Sequence, residues 1–249
     1  MTETAEGKEP ITARKRKVPG AAKTREIVLD ILLEVLEKNS FVHDILGEAL
    51  AKYQYLEKAD RAFITRLSEG TVERRLTVDA VLESCLKGKI EKQRPVIRTI
   101  LRMSVYQLLW MDRVPDRAVC DEAVKLAKSR GFGGLSGLVN GVLRNVARKK
   151  EEISFADWSL QYSMPQEILD MWRKEYSDEI VEGILQAFLM DTPITVRCNQ
   201  SRMPIEKIKK SLQEQGVKVS LSPLFDQVLL LSGYDYLDRL EAFREGWIQ

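Results

Sequence analysis

Asn140, Arg144 and Arg148 recur every four residues, and Lys149 and Lys150 extend the row into a run of cations. On a helix that spacing places one polar side chain on each successive turn of a single face. Guanidinium and ammonium groups bind phosphate oxygens, and an asparagine amide bonds a base edge or a ribose hydroxyl, so the row has the chemistry of RNA contact. For Asn140 and Arg144 an intramolecular role fits equally well: an Asn near a helix start, and an Arg paired with Asp121 or Glu122, can brace a bundle. For Arg148, Lys149 and Lys150 contact is the better reading, because like charges clustered at a helix end serve packing poorly. A second run, Arg14-Lys15-Arg16-Lys17, lies in a tail over residues 1–20 with Pro10, Pro19 and Gly20, which is expected to be disordered in isolation. It is either a solubilising tail or an arm that, with Arg25, lies alongside the RNA and loosens steeply as salt rises.

Other chemistries find little footing. Cys85, Cys120 and Cys198 are three widely spaced thiols with no Cys-x-x-Cys pair, which fits a reducing compartment and no zinc or dithiol site. Cys85 and Cys120 fall in helical patterns as core thiols, and Cys198 reads as an inward-facing strand residue. His43 is the single histidine, too few for a metal site or a nucleophile triad. The carboxylates are dispersed among Lys and Arg on helical faces, so neither a paired-carboxylate nor a metal site is expected.

Those residues must be positioned by a chain of 249 residues, 44% hydrophobic and 31% charged, with a net charge of only +2. That is the composition of a globular protein large enough for two cores, and not of a uniformly polycationic binder. No stretch nears the ~20 apolar residues that cross a bilayer, and no signal peptide opens the chain, so a cytoplasmic location is expected.

The cationic row sits on the second of two predicted helices, residues 117–129 and 135–149, joined by Gly131-Phe132-Gly133-Gly134 as a helix stop and restart. Leu135, Leu138, Val139, Val142, Leu143 and Val146 form its buried stripe, and Gly137 and Gly141 leave a third face bare for close approach of another backbone or a strand of nucleic acid. Upstream, apolar spacing predicts a helix through Val28, Ile31, Leu32 and Val35 that stops near Asn39, and another marked by Phe41, Ile45, Leu46 and Leu50. A longer one over 58–75 turns Arg61, Arg66 and Arg74 outward, and a further one spans 77–86. Residues 95–110 are apolar on nearly all sides and so belong in the middle of a bundle. Beyond Lys150 the pattern changes to helices near 165–176, 180–190 and 204–215 with strands at 195–199, 217–221 and 227–231. The fold class is therefore mainly α: a helical domain over 21–150 and a small α/β module over 151–249.

The run from Ala118 to Lys128, then Gly131-Phe132 and Val139-Asn140-Gly141-Val142-Leu143-Arg144-Asn145, resembles the last two helices of a NusB-like domain. That all-helical RNA-binding fold occurs alone as an antitermination factor and as the leading domain of bacterial 16S rRNA cytosine-5 methyltransferases of the RsmB (Sun) type. The continuation past Lys150, with Pro193-Ile194-Thr195-Val196-Arg197-Cys198-Asn199, resembles the linker module of those methyltransferases, and Arg244 to Gln249 resembles the strand leading into their catalytic domain. The resemblance implies a partner in small-subunit rRNA and S-adenosylmethionine as the parent enzyme's cofactor. The stand-alone alternative implies antitermination RNA and a ribosomal-protein partner. Neither a strand followed by a glycine-rich cofactor loop nor the family's Pro-Cys or Thr-Cys thiolate is found in the sequence. This chain by itself is therefore expected to bind and position RNA without transferring a methyl group.

Overall fold

The computed structural model describes residues 21–190, 193–234 and 236–249, and the basic run Arg14 to Lys17 lies outside them. The chain divides into two compact units, up to Glu175 and from Tyr176 onward.

The first unit is built around α5 (Pro95–Trp110). Pro95 opens that helix with a fixed φ and no orphaned N–H, and Ile97, Ile100, Leu101, Met103 and Val105 are fully buried on all its sides. Against it pack α1 (Ala21–Lys38), α3 (Lys58–Glu73), α4 (Arg75–Cys85), α6 (Asp116–Ser129) and α7 (Ser136–Lys149), while α2 (Val42–Lys52) leans on α1 and α3. The all-round apolarity of residues 95–110 thus places that helix in the middle of the bundle, as expected.

Charged residues also enter this core. Arg102 of α5, 6% exposed, grips both carboxylate oxygens of Asp79 on α4 at 2.7 and 2.9 Å. One turn earlier Arg98 bonds Glu37 of α1, so two arginines of the central helix tie α1 and α4 to it. The Arg98 guanidinium holds the Glu37 carboxyl below the usual carboxylate range.

At Gly70 of α3 the backbone approaches α5 so closely that a Cβ would overlap the phenol of Tyr106. That ring is itself 7% exposed and stacked on Trp110 at 5.4 Å, so it has little room to retreat. Gly70→Ala is expected to lower the stability of the intact chain by about 1–3 kcal/mol, the usual cost of overpacking. A urea titration unchanged by the substitution would contradict this.

Three expectations are corrected here. Phe41 caps α2 rather than packing under it and is 80% exposed. Leu138 stands at the edge of the α7 stripe, 37% exposed, while Val139, Val142, Leu143 and Val146 are buried. Of the arginines expected to face outward from 58–75, Arg66 is exposed, but Arg61 donates to the Leu56 carbonyl and Arg74 lies half-buried over the Trp110 ring.

Residues 151–175 belong to the first compact unit. A short helix α8 (Trp158–Tyr162) packs on α4, where Thr77 donates to the Leu160 carbonyl at 2.5 Å and Ser163 accepts from the Leu76 amide at 3.1 Å. Helix α9 (Gln166–Trp172) follows.

The second unit contains α10 (Asp178–Phe188), β1 (Ile194–Arg197), α11 (Ile205–Glu214), β2 (Lys218–Leu221), β3 (Val228–Ser232) and the turn of helix α12 (Glu241–Arg244). The strands form an antiparallel sheet in the order β1-β3-β2, with Val196 opposite Leu229 and Ile194 opposite Leu231. Val196, Leu229 and Leu231 share a core with Ile208 and Leu212 of α11 and with Ala242 and Ile248. Arg197 and Gln249 exchange backbone hydrogen bonds at 2.9 and 3.0 Å, and Asn199 donates to Trp247, so residues 247–249 pair alongside β1.

Candidate nucleic-acid interface

Helices α6 and α7 form a hairpin whose turn is set by Gly131. Its φ of +84° is the left-handed conformation that side chains resist. The Phe132 amide then reaches back to the Ala127 carbonyl at 2.8 Å and Gly131 to Lys128 at 3.1 Å, a Schellman stop that satisfies the end of α6. Phe132 and Leu135 pack on the main core, which fixes the direction in which α7 restarts.

On the outer side of this hairpin runs an open groove of about 440 Å³, lined by Lys125 and Lys128 from α6 and by Ser136, Gly137, Asn140 and Arg144 from α7, with Asp121 at its edge. A Cβ on Gly137 or Gly141 would touch nothing, so the bare face predicted for α7 is open to solvent rather than filled by a neighbouring helix.

The partners of Asp121 and Glu122 bear on bracing. Glu122 is bound by Lys125 at 2.7 Å, and Asp121 faces Arg117 at 3.7 Å, so neither carboxylate is engaged by Arg144. Among the described residues no carboxylate lies within ion-pair distance of Arg144, Lys128, Arg148 or Lys149. Arg148 donates to the Asn145 side chain at 2.8 Å, a neutral partner that orients the guanidinium without cancelling its charge. These cations are exposed, on one hairpin, with their charge available to an external anion.

Two sequence-predicted contact residues are not presented in this way. Arg25 is 6% exposed, donates to Gln107 at 2.9 Å and lies 5.0 Å over the Phe63 ring. Burial pushes its guanidinium below the ordinary arginine range, partly offset by Glu122, so it braces α1 inside the bundle and reaches no phosphate. Lys150 is held by both oxygens of Asp116 at 3.0 and 3.1 Å and ties the end of α7 to the start of α6. Conversely, Lys125 and Lys128 line the groove although the polar row of α7 alone does not point to them. Their i, i+3 spacing was the available signal.

Cys120 and Cys198 are buried. Burial raises the Cys120 thiol despite the field of Arg144, and burial raises Cys198 within the sheet core. The glycine cluster joins two helices, and the described sheet is wholly antiparallel. Among the described residues no group of His, Cys, Asp or Glu is arranged to hold a metal, and no helix is long and apolar enough to cross a membrane.

A helical bundle with a cationic hairpin, followed by a small antiparallel α/β module, defines the class, and comparison with known proteins gives the family. The chain belongs to the NusB family, which it matches over residues 22–148, and residues 164–237 match the ferredoxin-like domain described as Methyltr_RsmF/B-like. A probable ribosomal RNA small subunit methyltransferase B of Bacillus subtilis is 30% identical over 216 residues, covering 84% of this chain and 48% of the relative. A transcription antitermination protein NusB of Frankia casuarinae is 40% identical over 112 residues, 45% of this chain and 81% of that protein. Among solved structures, the crystal structure of PH0851 shares the fold at a TM-score of 0.67 and 19% identity, covering 94% of this chain and 54% of that one. The chain thus spans about half the length of the curated methyltransferase relatives it matches.

Proposed function

We propose that this chain is the RNA-binding and positioning portion of an S-adenosylmethionine-dependent 16S rRNA (cytosine-C5)-methyltransferase, acting in the cytoplasm. The observation that carries the reading is the set of exposed cations without an ion-pair partner on α6 and α7, Lys128, Arg144, Arg148 and Lys149, of which Lys128 and Arg144 line an open groove. Kinship with the small-subunit rRNA methyltransferases supplies the RNA class and the parent activity. Lys128, Arg144, Arg148 and Lys149 meet phosphates, and Asn140 in the groove reads a base edge or a 2′-hydroxyl. None of the three cysteines supplies the attacking thiolate, so the methyl transfer itself is not performed by these residues. A free-standing antitermination role with a ribosomal-protein partner is the lesser reading, because residues 176–249 form a second unit with its own core.

The test is filter binding of 16S rRNA fragments over a salt series. Affinity is expected to fall log-linearly with salt, and Arg148→Ala with Lys149→Ala is expected to weaken binding about tenfold and to flatten the slope by roughly one to two. Binding indifferent to both salt and the double substitution would overturn the proposal.

A further inference from the structure

A second pocket of about 400 Å³ lies away from the groove, where the end of α5 and the start of α4 meet the extension that follows α7. Its lining combines an indole and a phenyl ring, Trp110 and Phe155, with two cations, Arg74 and Lys150, and the polar side chains of Ser154 and Gln161. The volume lies within the range of ~300–1,000 Å³ that small organic ligands occupy.

Arg74 is the informative member. Its guanidinium sits 5.1 Å over the Trp110 ring, and among the described residues no carboxylate lies within ion-pair distance of it. Half-buried cations are ordinarily paired, because removing a charge from water is costly without a counter-charge. Burial accordingly pushes Arg74 below the ordinary arginine range. An aromatic face lessens that cost, and Arg74 lines the pocket with no carboxylate to cancel its charge. Lys150 also lines the pocket, its charge matched by Asp116 at 3.0 Å, which leaves Arg74 as the cation for an anionic ligand. Aromatic side chains beside a cation without an ion-pair partner suit a ligand that joins an aromatic ring to an anion, and a nucleotide has both parts in one molecule.

We propose that this pocket seats a single unstacked ribonucleotide of the bound RNA, its base beside Phe155 and Trp110 and its phosphate at Arg74. The source of that nucleotide rests on the RNA-binding reading above, whereas the pocket chemistry does not. Gln161 and Ser154, both exposed at the mouth, are placed to bond the base edge and so to bias which base enters. The extension that follows α7 then takes part in recognition, and its docking on α4 through Thr77 and Ser163 builds the pocket wall.

The test irradiates the intact chain with a short single-stranded RNA carrying 4-thiouridine and locates the crosslinked peptides by mass spectrometry. Crosslinks at Trp110 or within residues 150–161 are expected. Arg74→Gln and the pocket-filling Ser154→Trp should each remove them and weaken binding about tenfold; Ser154 is exposed, so its variant stays informative if the other fails to fold. Crosslinks confined to α6 and α7, with both variants binding as tightly as the unchanged chain, would overturn the pocket and leave the RNA reading intact. If RNA is not retained but 4-thiouridine monophosphate alone still crosslinks at the pocket, the RNA reading falls and the nucleotide site stands. Failure of both probes to label the pocket overturns the site.

Discussion

Arg102→Ala is expected to lower the stability of the first unit by about 3–5 kcal/mol, the usual cost of breaking a buried ion pair from one side. Arg102 spans the bundle centre with both of its bonds to Asp79 and with Glu37 and Glu91 at 3.8 and 3.7 Å. Removing the guanidinium leaves Asp79 in a setting where burial already raises its carboxyl against the pull of Arg102. The Arg102 side chain is itself buried, so its truncation leaves unfilled volume that adds to the electrostatic loss. The double variant Arg102→Met with Asp79→Leu removes both charges and should recover most of the loss, since a matched apolar pair replaces a buried ion pair at little cost. Urea titration of all three proteins, with hydrogen exchange of the α5 amides reporting on the first unit, measures the difference. A single-variant loss under ~1 kcal/mol, the size of an exposed pair, would show that the network is solvated rather than buried.

That network was hidden in the sequence, and the reason is physical. Apolar periodicity reports which residues leave water, so α5, the stripe of α7 and the core positions of α1 could be read directly from residue spacing. It says nothing of a charged residue that leaves water in company. Arg98 finds Glu37 at a separation of 61 residues and Arg25 finds Gln107 at 82, and nothing local marks either pair. Arg25 and Arg74 therefore look in sequence like any exposed cation, yet one is buried beside Phe63 and the other half-buried on Trp110. The same limit explains residues 151–175. Their pattern changes at Lys150, but the bonds that hold α8 to α4 join positions more than eighty residues apart.

The cationic hairpin was more legible because it rests on local geometry. A glycine at the end of α6, a polar residue on each turn of α7 and two glycines between its faces are properties of one helical hairpin, and the structure shows the exposure they implied. What spacing left open was whether Arg144 braces or reaches outward. The partners of Asp121 and Glu122 bear on that, and both carboxylates are engaged by Arg117 and Lys125. Lys150, adjacent in sequence to two available cations, is taken up by Asp116 on the neighbouring helix. A run of like charge therefore overstates how many side chains reach phosphate, by the members that turn inward.

Replacing Lys128, Arg144, Arg148 and Lys149 together by Glu is expected to weaken RNA binding by at least about 100-fold near 0.1 M salt. Removing a cation from a phosphate forfeits counterion release of roughly 1 kcal/mol under those conditions, and reversing the sign adds repulsion to the loss. Arg148→Glu and Lys149→Glu also set negative charge at the C-terminal end of α7, at about 0.3–1 kcal/mol each, so circular dichroism must first show an intact bundle. The contrast that identifies the hairpin as the interface is a second quadruple reversal on exposed cations elsewhere in the first unit: Lys38, Lys52, Lys58 and Lys87. It changes net charge by the same amount, and a long-range field alone would give the two proteins similar affinities, whereas binding in the groove leaves the second variant within about tenfold of the unchanged chain. Equal losses from both reversals would place RNA binding in the overall charge of the chain rather than on α6 and α7.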